Sequence, residues 1–494
     1  MTPPPFLRAP AFPQHRAQIT AAADAPTPLP ADALDQLRHA RVGGEFWSEA
    51  APWSALECSG HLTAAGTDER VAIAAVLDLP VTVLTPGPYG KPGDDLHALR
   101  ARLTSLLASA RYIDPFTGAD SSFTATIALL GQWRREIEAN RTIAVASGMA
   151  WWKRDEIRRF LWVPERDVRF VRKAARALAV ARKANGALAV WPSRVSPALL
   201  AAAHAQETGI VRVEDGFVRS VGLGSNLVPP ASVVVDTRGI HFDPATPSDL
   251  EHILATTAFT TALTDRAQAL RQMIVIAGIS KYAAQTAAPL PPRDPKRKRV
   301  LVPAQVEDDM SVLAGGGGLT SNLELLRRVR ALEPDAEIWF RPHPDVDAGH
   351  RKGAVPDTEA LRYADAVMRG GGMAPLLDVV DAVHVLTSLT GFEALMRGAE
   401  VTCHGTPFYA GWGLTRDLGA VPERRRRCLS LDELVAGVLI LYPRYLDPVT
   451  GLPCPPEVLV ARIAASQATN RLGWVAPLRR WQGRLMTRLR AFAR

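Results

Sequence analysis

The chain has 494 residues, of which 47% are hydrophobic and 22% charged, a composition typical of a folded protein of two or three domains and not of a disordered chain. Lysine and arginine number 58 against 50 acidic residues, and the net charge of +8 favours an anionic partner such as a nucleotide or a lipid headgroup. The four cysteines lack zinc-binding spacing, which argues against a metal centre or a disulfide framework.

The first 35 residues are rich in proline and alanine, and we predict a mobile arm there. They contain no apolar segment of the kind that a secretory signal needs. No run in the chain reaches the roughly 18 apolar residues that span a bilayer. We therefore expect a cytoplasmic protein.

Residues 36–125 predict half of an α/β unit. The segment RVAIAAVLDLPVTVLTPGPYG (70–90) contains an apolar, β-branched strand candidate followed by proline and glycine. A helical pattern then extends from Asp95 to Ala110.

Two longer alternations of strands and helices follow. From Arg141 the candidates are the strands TIAVAS, GALAVWP and IVRV and the helices WKRDEIRRFL and SPALLAAAHAQE. A proline-rich basic linker (282–299) precedes VLVPAQ, where the alternation begins again. Such alternation predicts parallel sheets, so we predict an α/β fold with two Rossmann-like domains, residues 126–296 and 297–469, facing a cleft. Ligands of such folds bind at the C-terminal ends of strands.

Two predicted strand ends carry acidic and amide side chains. Glu214 and Asp215 end one strand before Gly216, which permits a sharp turn. Adjacent strand residues face opposite ways, so only one of the two carboxylates is expected in the cleft unless the strand has already broken. Alternatively, the acidic pair caps the next segment. The stretch VPAQVEDDMS carries polar side chains just past a strand, at Gln305, Glu307, Asp308, Asp309 and Ser311. These side chains can bind a base, a ribose or Mg²⁺, or they can cap the next helix.

Two further strand ends are suited to a phosphate. His343 lies between two prolines in FRPHPD, and this rigid loop places an imidazole that can donate to a phosphate or protonate a leaving group. The stretch LTSLTGFEAL places Thr387, Ser388 and Thr390 at a helix start, where hydroxyl and N–H groups bind phosphate, although such residues also cap many helices. Together, the four strand ends predict transfer of a group from an activated nucleotide.

Six motifs, in this order, resemble those of the capsular polysaccharide β-Kdo transferases of Gram-negative bacteria, where Kdo is 3-deoxy-D-manno-oct-2-ulosonic acid. They are RVEDGFVRSVGLG, VVVDTRGIHFD, LVPAQVEDDMSV, RPHPDV, TSLTGFEALMRG and TPFYAGWGLT, within residues 141–463. The resemblance implies a GT-B-like fold, CMP-Kdo as donor, and an acceptor with a short β-linked Kdo chain on lyso-phosphatidylglycerol. It implies no cofactor, and since CMP is a good leaving group with one phosphate we expect no divalent metal.

The resemblance also implies the catalytic residues. Asp215 would be the catalytic carboxylate, with Glu214 beside it in support. It would act either as the nucleophile that forms a covalent Kdo adduct, with retention of the β configuration, or as an acid/base. His343 would contact the CMP phosphate and assist its departure.

Further residues of these motifs would bind the substrates. Ser388 and Thr390 at the helix start would hold the CMP phosphate. Gln305 and Asp309 would line the nucleotide or sugar site. Arg219 would pair with the Kdo carboxylate or with Glu214. The substrate-binding candidates are Arg219, Gln305, Asp308, Asp309, Ser311, Arg341, Ser388, Thr390 and Glu393.

An eight-residue motif occurs twice, as RYIDPFTG (111–118) and RYLDPVTG (444–451). In the family it resembles, each of two transferase modules is closed by a similar segment. The second copy follows a complete module, whereas the first follows about 110 residues that lack EDG, RPHPD and TSLTGFE. We therefore predict that residues 36–125 are a degenerate remnant and that the chain has one active site. The resemblance associates the second module with 2,7 rather than 2,4 linkage, so the linkage would be 2,7, and a partner enzyme would supply any alternating step.

Residues 470–494 carry seven arginines and no acid, with apolar residues every three or four positions from Leu478 to Phe492. This pattern predicts a basic amphipathic helix that lies on the anionic inner membrane or packs on the protein. An alternative function is a non-catalytic scaffold for capsule assembly or export that keeps the transferase fold. Nucleic-acid binding is not expected, because no recognised motif accompanies the basic residues.

Overall fold

The computed structural model describes residues 5–13, 16–218, 228–280, 290–349 and 351–466. Arg219 and the basic segment 470–494 lie outside these residues. Within the described ranges, none of the helices is long and apolar enough to cross a membrane.

The N-terminal unit contains four short strands and five helices around its own core. The strands are β1 Thr20–Ala22, β2 Leu62–Ala64, β3 Val81–Val83 and β4 Ala110–Tyr112. The helices are α1 Ala33–Ala40, α2 Pro52–Ser59, α3 Arg70–Val76, α4 Leu96–Ala108 and α5 Phe123–Arg141. β1 pairs antiparallel with β4, and β2 pairs parallel with β3.

Two expectations for this unit are corrected. The described part of the N-terminal segment is packed rather than mobile, because Phe6, Leu7 and Ile19 are buried in the core and β1 pairs with β4. The apolar run that begins at Arg70 forms helix α3, with every residue of 71–76 buried, and the strand of this segment is β3. A short run that is apolar on every side has no periodicity to distinguish a buried helix from a buried strand.

The second unit, the N-terminal Rossmann-like domain, contains strands β5–β9 and helices α6–α10. The strands are β5 Ile143–Ser147, β6 Arg169–Phe170, β7 Ala187–Val190, β8 Ile210–Asp215 and β9 Ser232–Asp236. The helices are α6 Arg154–Phe160, α7 Ala174–Lys183, α8 Pro197–Ala205, α9 Asp249–Thr256 and α10 Thr261–Ile276, with 3₁₀ turns at Trp151–Lys153 and Pro192–Arg194. β8, β7, β5 and β6 are adjacent and parallel, so their C-terminal ends meet at one edge, whereas β9 is antiparallel to β8.

The C-terminal Rossmann-like domain is built on a six-stranded parallel sheet of order β12-β11-β10-β13-β14-β15. The strands are β10 Arg299–Pro303, β11 Glu337–Arg341, β12 Ala366–Val367, β13 Ala382–Val385, β14 Glu400–Cys403 and β15 Arg416–Asp417. The helices are α11 Met310–Gly315, α12 Asn322–Leu332, α13 Pro344–Asp347, α14 Asp357–Ala360, α15 Ala374–Leu377, α16 Leu389–Met396 and α17 Leu431–Val435, the last continued by a π-helical turn, Ala436–Leu441. Every residue of β10, β11 and β13 is buried, as expected of a parallel sheet covered on both faces.

The last strands return to the second unit. β16 Pro443–Leu446 pairs antiparallel with β9, and β17 Pro453–Cys454 pairs with β16, before helix α18 Pro456–Ala464. The sheet of the second unit therefore has the order β17-β16-β9-β8-β7-β5-β6. This pairing corrects the predicted C-terminal domain of residues 297–469, because its last strands belong to the other sheet.

Both copies of the repeated motif make the same turn. Asp114 accepts a hydrogen bond from the peptide N–H two residues later, and so does Asp447, at 2.8 and 3.2 Å. Gly118 and Gly451 end the turns with φ of 75° and 71°, where glycine is favoured. The helices that follow are α5 and α18, so the motif directs the chain into a helix in both places.

The two turns are also joined to each other. Arg462 donates to both carboxylate oxygens of Asp447, at 2.9 and 3.1 Å, and to the carbonyl oxygen of Phe116 in the first copy, at 2.7 Å. Trp133 of α5 donates from Nε1 to the carbonyl oxygen of Pro453, at 2.8 Å. The N-terminal unit is therefore fastened to the strands that complete the second sheet.

The two turns provide a matched stability test. Burial raises the pKa of the Asp447 carboxyl, but hydrogen bonds from Arg462 and Thr450 outweigh it and leave the pKa below its usual value. Asp447→Ala leaves Arg462 without this acceptor and should lower the free energy of unfolding by about 3 kcal/mol. Asp114→Ala, in the half-buried copy, should cost about 1 kcal/mol. Urea unfolding followed by circular dichroism measures the free energy of unfolding of each variant. Equal losses in the two variants would contradict the stronger stabilising role given to Asp447.

Candidate active site

A cleft of about 960 Å³ lies between the two Rossmann-like domains. One wall contains the residues that follow β5, β6, β7 and β8, and the other contains those that follow β10, β11 and β13. The predicted strand ends of both sheets therefore meet in one place, as the topology of parallel sheets requires.

Asp215 is held by an ammonium group. It is the last residue of β8, and its Oδ1 lies 2.7 Å from Nζ of Lys153, in the turn after β5. The Lys153 side chain is only 8% exposed, and its Nζ lies 3.6 Å from the ring centroid of Trp191. The ion pair therefore holds the Asp215 carboxylate beside an ammonium group at the cleft.

Both residues of the acidic pair line the cleft. Oε1 of Glu214 accepts a hydrogen bond from the peptide N–H of Asp215, at 3.1 Å, so the longer side chain folds back over the strand end. Gly216 is needed here for close packing, because a Cβ at this position would lie 2.3 Å from Oγ of Ser232.

The opposite wall presents the N-terminus of α16. Ser388 caps this helix, with its Oγ accepting from the N–H of Thr390 at 3.2 Å, and Ser388 lines the cleft. Gln305 fixes the preceding residue: its Nε2 donates to Oγ1 of Thr387, at 2.9 Å, and its Oε1 accepts from the N–H of Thr387, at 2.8 Å. Gln305 therefore positions the helix start, where the positive end of the helix dipole favours an anion.

The hydroxyl of buried Tyr409 supports the same helix start by donating to the carbonyl oxygen of Ser388. Burial raises the pKa of Tyr409 well above its usual value, which keeps this hydroxyl protonated as a donor.

His343 follows β11 and lines the same wall of the cleft. Its Nδ1 accepts a hydrogen bond from the N–H of Asp345, at 3.2 Å, so the neutral ring carries its proton on Nε2. This tautomer is suited to donate a hydrogen bond from Nε2. Asp309 also lines the cleft, and it caps α11 by accepting from the N–H of Ser311, at 3.4 Å, and accepts in addition from Oγ of Ser311, at 2.7 Å. Of the alternatives for Asp309, the structure shows the helix cap.

Two of the predicted substrate-binding residues lie away from the cleft wall. Arg341 is buried at the end of β11 and donates to carbonyl oxygens of the 368–371 loop, and burial lowers the pKa of its guanidinium. Asp308 is exposed and pairs with Arg351, at 3.1 Å. Adjacent residues point in different directions at a strand end, so a motif that reaches the cleft does not bring every member with it.

Thr390 and Glu393 are also removed from the cleft wall. Both are buried in α16, at 8% and 5% exposure, where they stabilise the helix that carries Ser388. Arg219 lies outside the described residues, so the two roles predicted for it remain predictions.

One group of cleft residues was not predicted from the sequence. These side chains follow β5, β6 and β7 and combine aromatic rings with cations, and we call them the tryptophan–arginine wall. Its members are Trp151, Trp152, Lys153, Arg154, Phe170, Arg172, Trp191 and Arg194. The strands β5 and β7 were predicted as TIAVAS and GALAVWP, and the same strand-end argument applied to WWKR and WPSR would have found the wall residues that follow them. Strand β6, which precedes Arg172, was not predicted.

The floor of the cleft is an aromatic cluster contributed by both domains. The ring of Phe217 lies 4.8 Å from that of His241 and 4.7 Å from that of Phe408. Tyr442 completes the cluster and donates to Oδ2 of the buried Asp236, at 2.8 Å, while burial raises the pKa of this carboxyl. The motifs VVVDTRGIHFD and TPFYAGWGLT therefore build the junction on which the two walls meet.

Paired Rossmann-like sheets with a carboxylate on one wall and a helix N-terminus on the other define a GT-B-like protein. Residues 186–445 match the model of the family described as "Capsule polysaccharide biosynthesis protein". The chain belongs to this family.

Two relatives share the family's sequence over part of their length. The capsule polysaccharide modification protein LipA of Neisseria meningitidis serogroup A is 41% identical over 344 residues, which are 70% of this chain and 48% of LipA. The lipopolysaccharide-processing protein LpsZ of Rhizobium meliloti is 46% identical over 239 residues, which are 47% of this chain and 54% of LpsZ. The chain thus spans about half the length of each.

Two solved structures are similar over nearly their whole length. The β-Kdo 2,7 transferase of Thermosulfurimonas dismutans KpsC is 34% identical, with a TM-score of 0.54, covering 65% of this chain and 99% of that one. The β-Kdo 2,4 transferase of the same KpsC is 33% identical, with a TM-score of 0.56, covering 65% and 98%. The similarity is therefore equally close to both transferases.

The sheet beneath the α16 start contains a buried histidine pair. Nδ1 of His384 in β13 lies 3.1 Å from Nε2 of His404 after β14. Burial lowers the pKa of each imidazole to about 4. Both are therefore neutral in the folded protein at a pH where the unfolded chain would protonate them.

This pair predicts a pH-dependent loss of stability. Since the folded pKa lies below the unfolded value of 6.5, stability is complete above pH 6.5 and is lost as the pH falls towards 4. By pH 5 the loss should be roughly 2 kcal/mol per imidazole. His404→Gln should remove about half of the difference between pH 7 and pH 5 in urea unfolding, whereas the exposed control His252→Gln should leave it unchanged. Identical profiles for His404→Gln and the unsubstituted protein would contradict the prediction.

Proposed function

We propose that the chain is a CMP-Kdo-dependent β-Kdo transferase that extends a Kdo-primed glycolipid, a Kdo linker on lyso-phosphatidylglycerol, in capsule polysaccharide synthesis. The observation that carries this proposal is the placement of the Asp215 carboxylate across one cleft from the α16 N-terminus. The likeness to two KpsC Kdo transferases supports the choice of donor sugar.

The donor phosphate would bind at the wall that carries Ser388. The N–H groups at the start of α16 and the Ser388 hydroxyl donate to the phosphate oxygens, and the Nε2–H of His343 donates to the phosphate as it leaves. CMP departs with a single phosphate, so these groups suffice to stabilise it and we propose that no divalent cation is required.

The sugar would pass through a covalent intermediate. A carboxylate oxygen of Asp215 attacks the anomeric carbon C2 of Kdo while the bond from C2 to the phosphate oxygen breaks and CMP leaves. An acceptor hydroxyl then attacks C2, the bond from C2 to Asp215 breaks, and Glu214 accepts the hydroxyl proton. Two displacements at one carbon retain the β configuration.

Linkage and membrane association extend the same proposal. We propose the 2,7 linkage, and NMR of the product formed on acceptors that end in differently linked Kdo separates it from 2,4. Residues 470–494 would lie on the anionic inner membrane surface where the lipid acceptor is found. Co-sedimentation of the full chain and of a chain ending at 469 with phosphatidylglycerol vesicles measures this contact.

The first test of catalysis concerns Asp215. With CMP-Kdo and a Kdo-primed acceptor, the protein should release CMP and transfer Kdo in the presence of EDTA, and Asp215→Asn should lower the transfer rate by at least about 1,000-fold because the nucleophile is lost. Asp265→Asn, on the exposed face of α10, is the matched control and should keep full activity.

The two roles of Asp215 and the scaffold alternative give different results in the same assay. Mass spectrometry of protein quenched during turnover should show one Kdo attached to the peptide that contains Asp215, whereas an acid/base role leaves this peptide unmodified. Binding of CMP-Kdo without transfer to any acceptor would indicate a scaffold. Undiminished turnover of Asp215→Asn would refute the catalytic assignment.

The second test concerns Lys153. Lys153→Met keeps the length of the side chain but removes the charge at Oδ1 of Asp215, so we expect transfer to fall about 100-fold. Lys153→Arg keeps the charge and should retain more activity than the methionine variant. Equal activity of the two variants would show that Lys153 contributes packing against Trp191 and not charge.

A further inference from the structure

The tryptophan–arginine wall contains two cations with no acidic partner. Arg172 follows β6 and Arg194 ends the turn after β7, and both are exposed and line the cleft. Within the described ranges, neither side chain makes a hydrogen bond or an ion pair. The other arginines of the cleft are engaged: Arg154 donates to the carbonyl oxygen of Met149 at 3.3 Å, and Arg351 pairs with an aspartate.

The strand order places these two arginines on a line that begins at Asp215. From β8, which ends in Asp215, the sheet continues through β7 and β5 to β6, and all four strands are parallel. Arg194 therefore lies one strand from Asp215, and Arg172 lies two strands beyond Arg194, a lateral spacing of roughly 10 Å.

An exposed aromatic ring lies between the two arginines. Trp151 follows β5, lines the cleft and is 62% exposed, although tryptophan is usually well buried. Among the described residues that line this wall, the acids are Glu214 and Asp215 at its inner end. The outer wall is therefore positive and aromatic, a combination that suits a chain of anionic rings.

We propose that the tryptophan–arginine wall is an extended acceptor subsite for an oligosaccharide of carboxylated sugars. Arg194 binds the carboxylate of the terminal sugar, whose hydroxyl reaches the Asp215 site, and Arg172 binds the carboxylate of an earlier sugar. The ring of Trp151 supports the chain between them. This inference rests on the proposed function for the identity of the sugars, and it adds the direction in which the acceptor lies.

The opposite assignment, in which these arginines hold the donor nucleotide, fits the structure less well. The helix N-terminus that suits a phosphate belongs to the other wall, in the C-terminal domain. Arg172 is separated from Asp215 by three strand spacings, roughly 14 Å, which is too far for a group attached directly to the reacting carbon.

Binding can be measured without turnover, by calorimetry of the full chain with Kdo monosaccharide and with a β-linked Kdo disaccharide. Arg194→Met should weaken both ligands about tenfold, the loss of one charge-assisted contact. Arg172→Met should weaken the disaccharide about tenfold and leave the monosaccharide unchanged. The control Arg176→Met, on the exposed face of α7 outside the cleft, should change neither.

A carboxyl-reduced disaccharide supplies the complementary probe and should bind equally to the Arg172→Met variant and to the unsubstituted protein. The subsite is overturned if Arg172→Met weakens the monosaccharide as much as the disaccharide, if it weakens neither, or if Arg176→Met has the same effect. It is also overturned if the unsubstituted protein binds neither sugar. If Arg172 is needed for the disaccharide alone but the protein transfers no Kdo from CMP-Kdo, the subsite is supported and the proposed transferase function is refuted. Failure of the subsite and failure of the transferase function therefore give different results.

Discussion

The pairing of β16 with β9 is the constraint on which the rest of the structure depends. The chain leaves the second unit after α10 and builds the C-terminal sheet. It then returns to complete the sheet of the second unit with β16 and β17. Each Rossmann-like domain is therefore joined to the other by two chain crossings, and Phe217 and Phe408 meet on the cleft floor between them. Because two crossings join the domains, the cleft brings groups from distant parts of the chain together and the two domains have little freedom to separate.

The two walls of the cleft have different chemistry because different features build them. The C-terminal wall relies on backbone N–H groups at a helix start, which Gln305 and Ser388 fix through hydrogen bonds. The N-terminal wall relies on side chains, with Lys153 held between aromatic rings and bonded to Asp215. A helix start is suited to a phosphate of defined position, whereas long cations and rings can follow an extended anionic chain.

The repeated motif makes the same turn in two different structural settings. Asp114 and Asp447 form equivalent turns before closing helices, and the first turn contacts the second through Phe116 and Arg462. The packing of α5 against the end of the second sheet gives the N-terminal unit a structural role, since Trp133 bonds to the chain at Pro453.

The sequence by itself predicted the paired α/β domains, several of their strands and the motifs that reach the cleft, because apolar runs, glycine and proline act locally. It also located Asp215, His343 and Ser388, since polar residues that directly follow a parallel strand share one edge of the sheet. Only the tertiary structure decided that Arg341 turns into the protein while Lys153 turns to Asp215. The direction of a side chain at a strand end depends on partners far away in the sequence. The return of β16 to the sheet of the second unit depends on such distant partners as well.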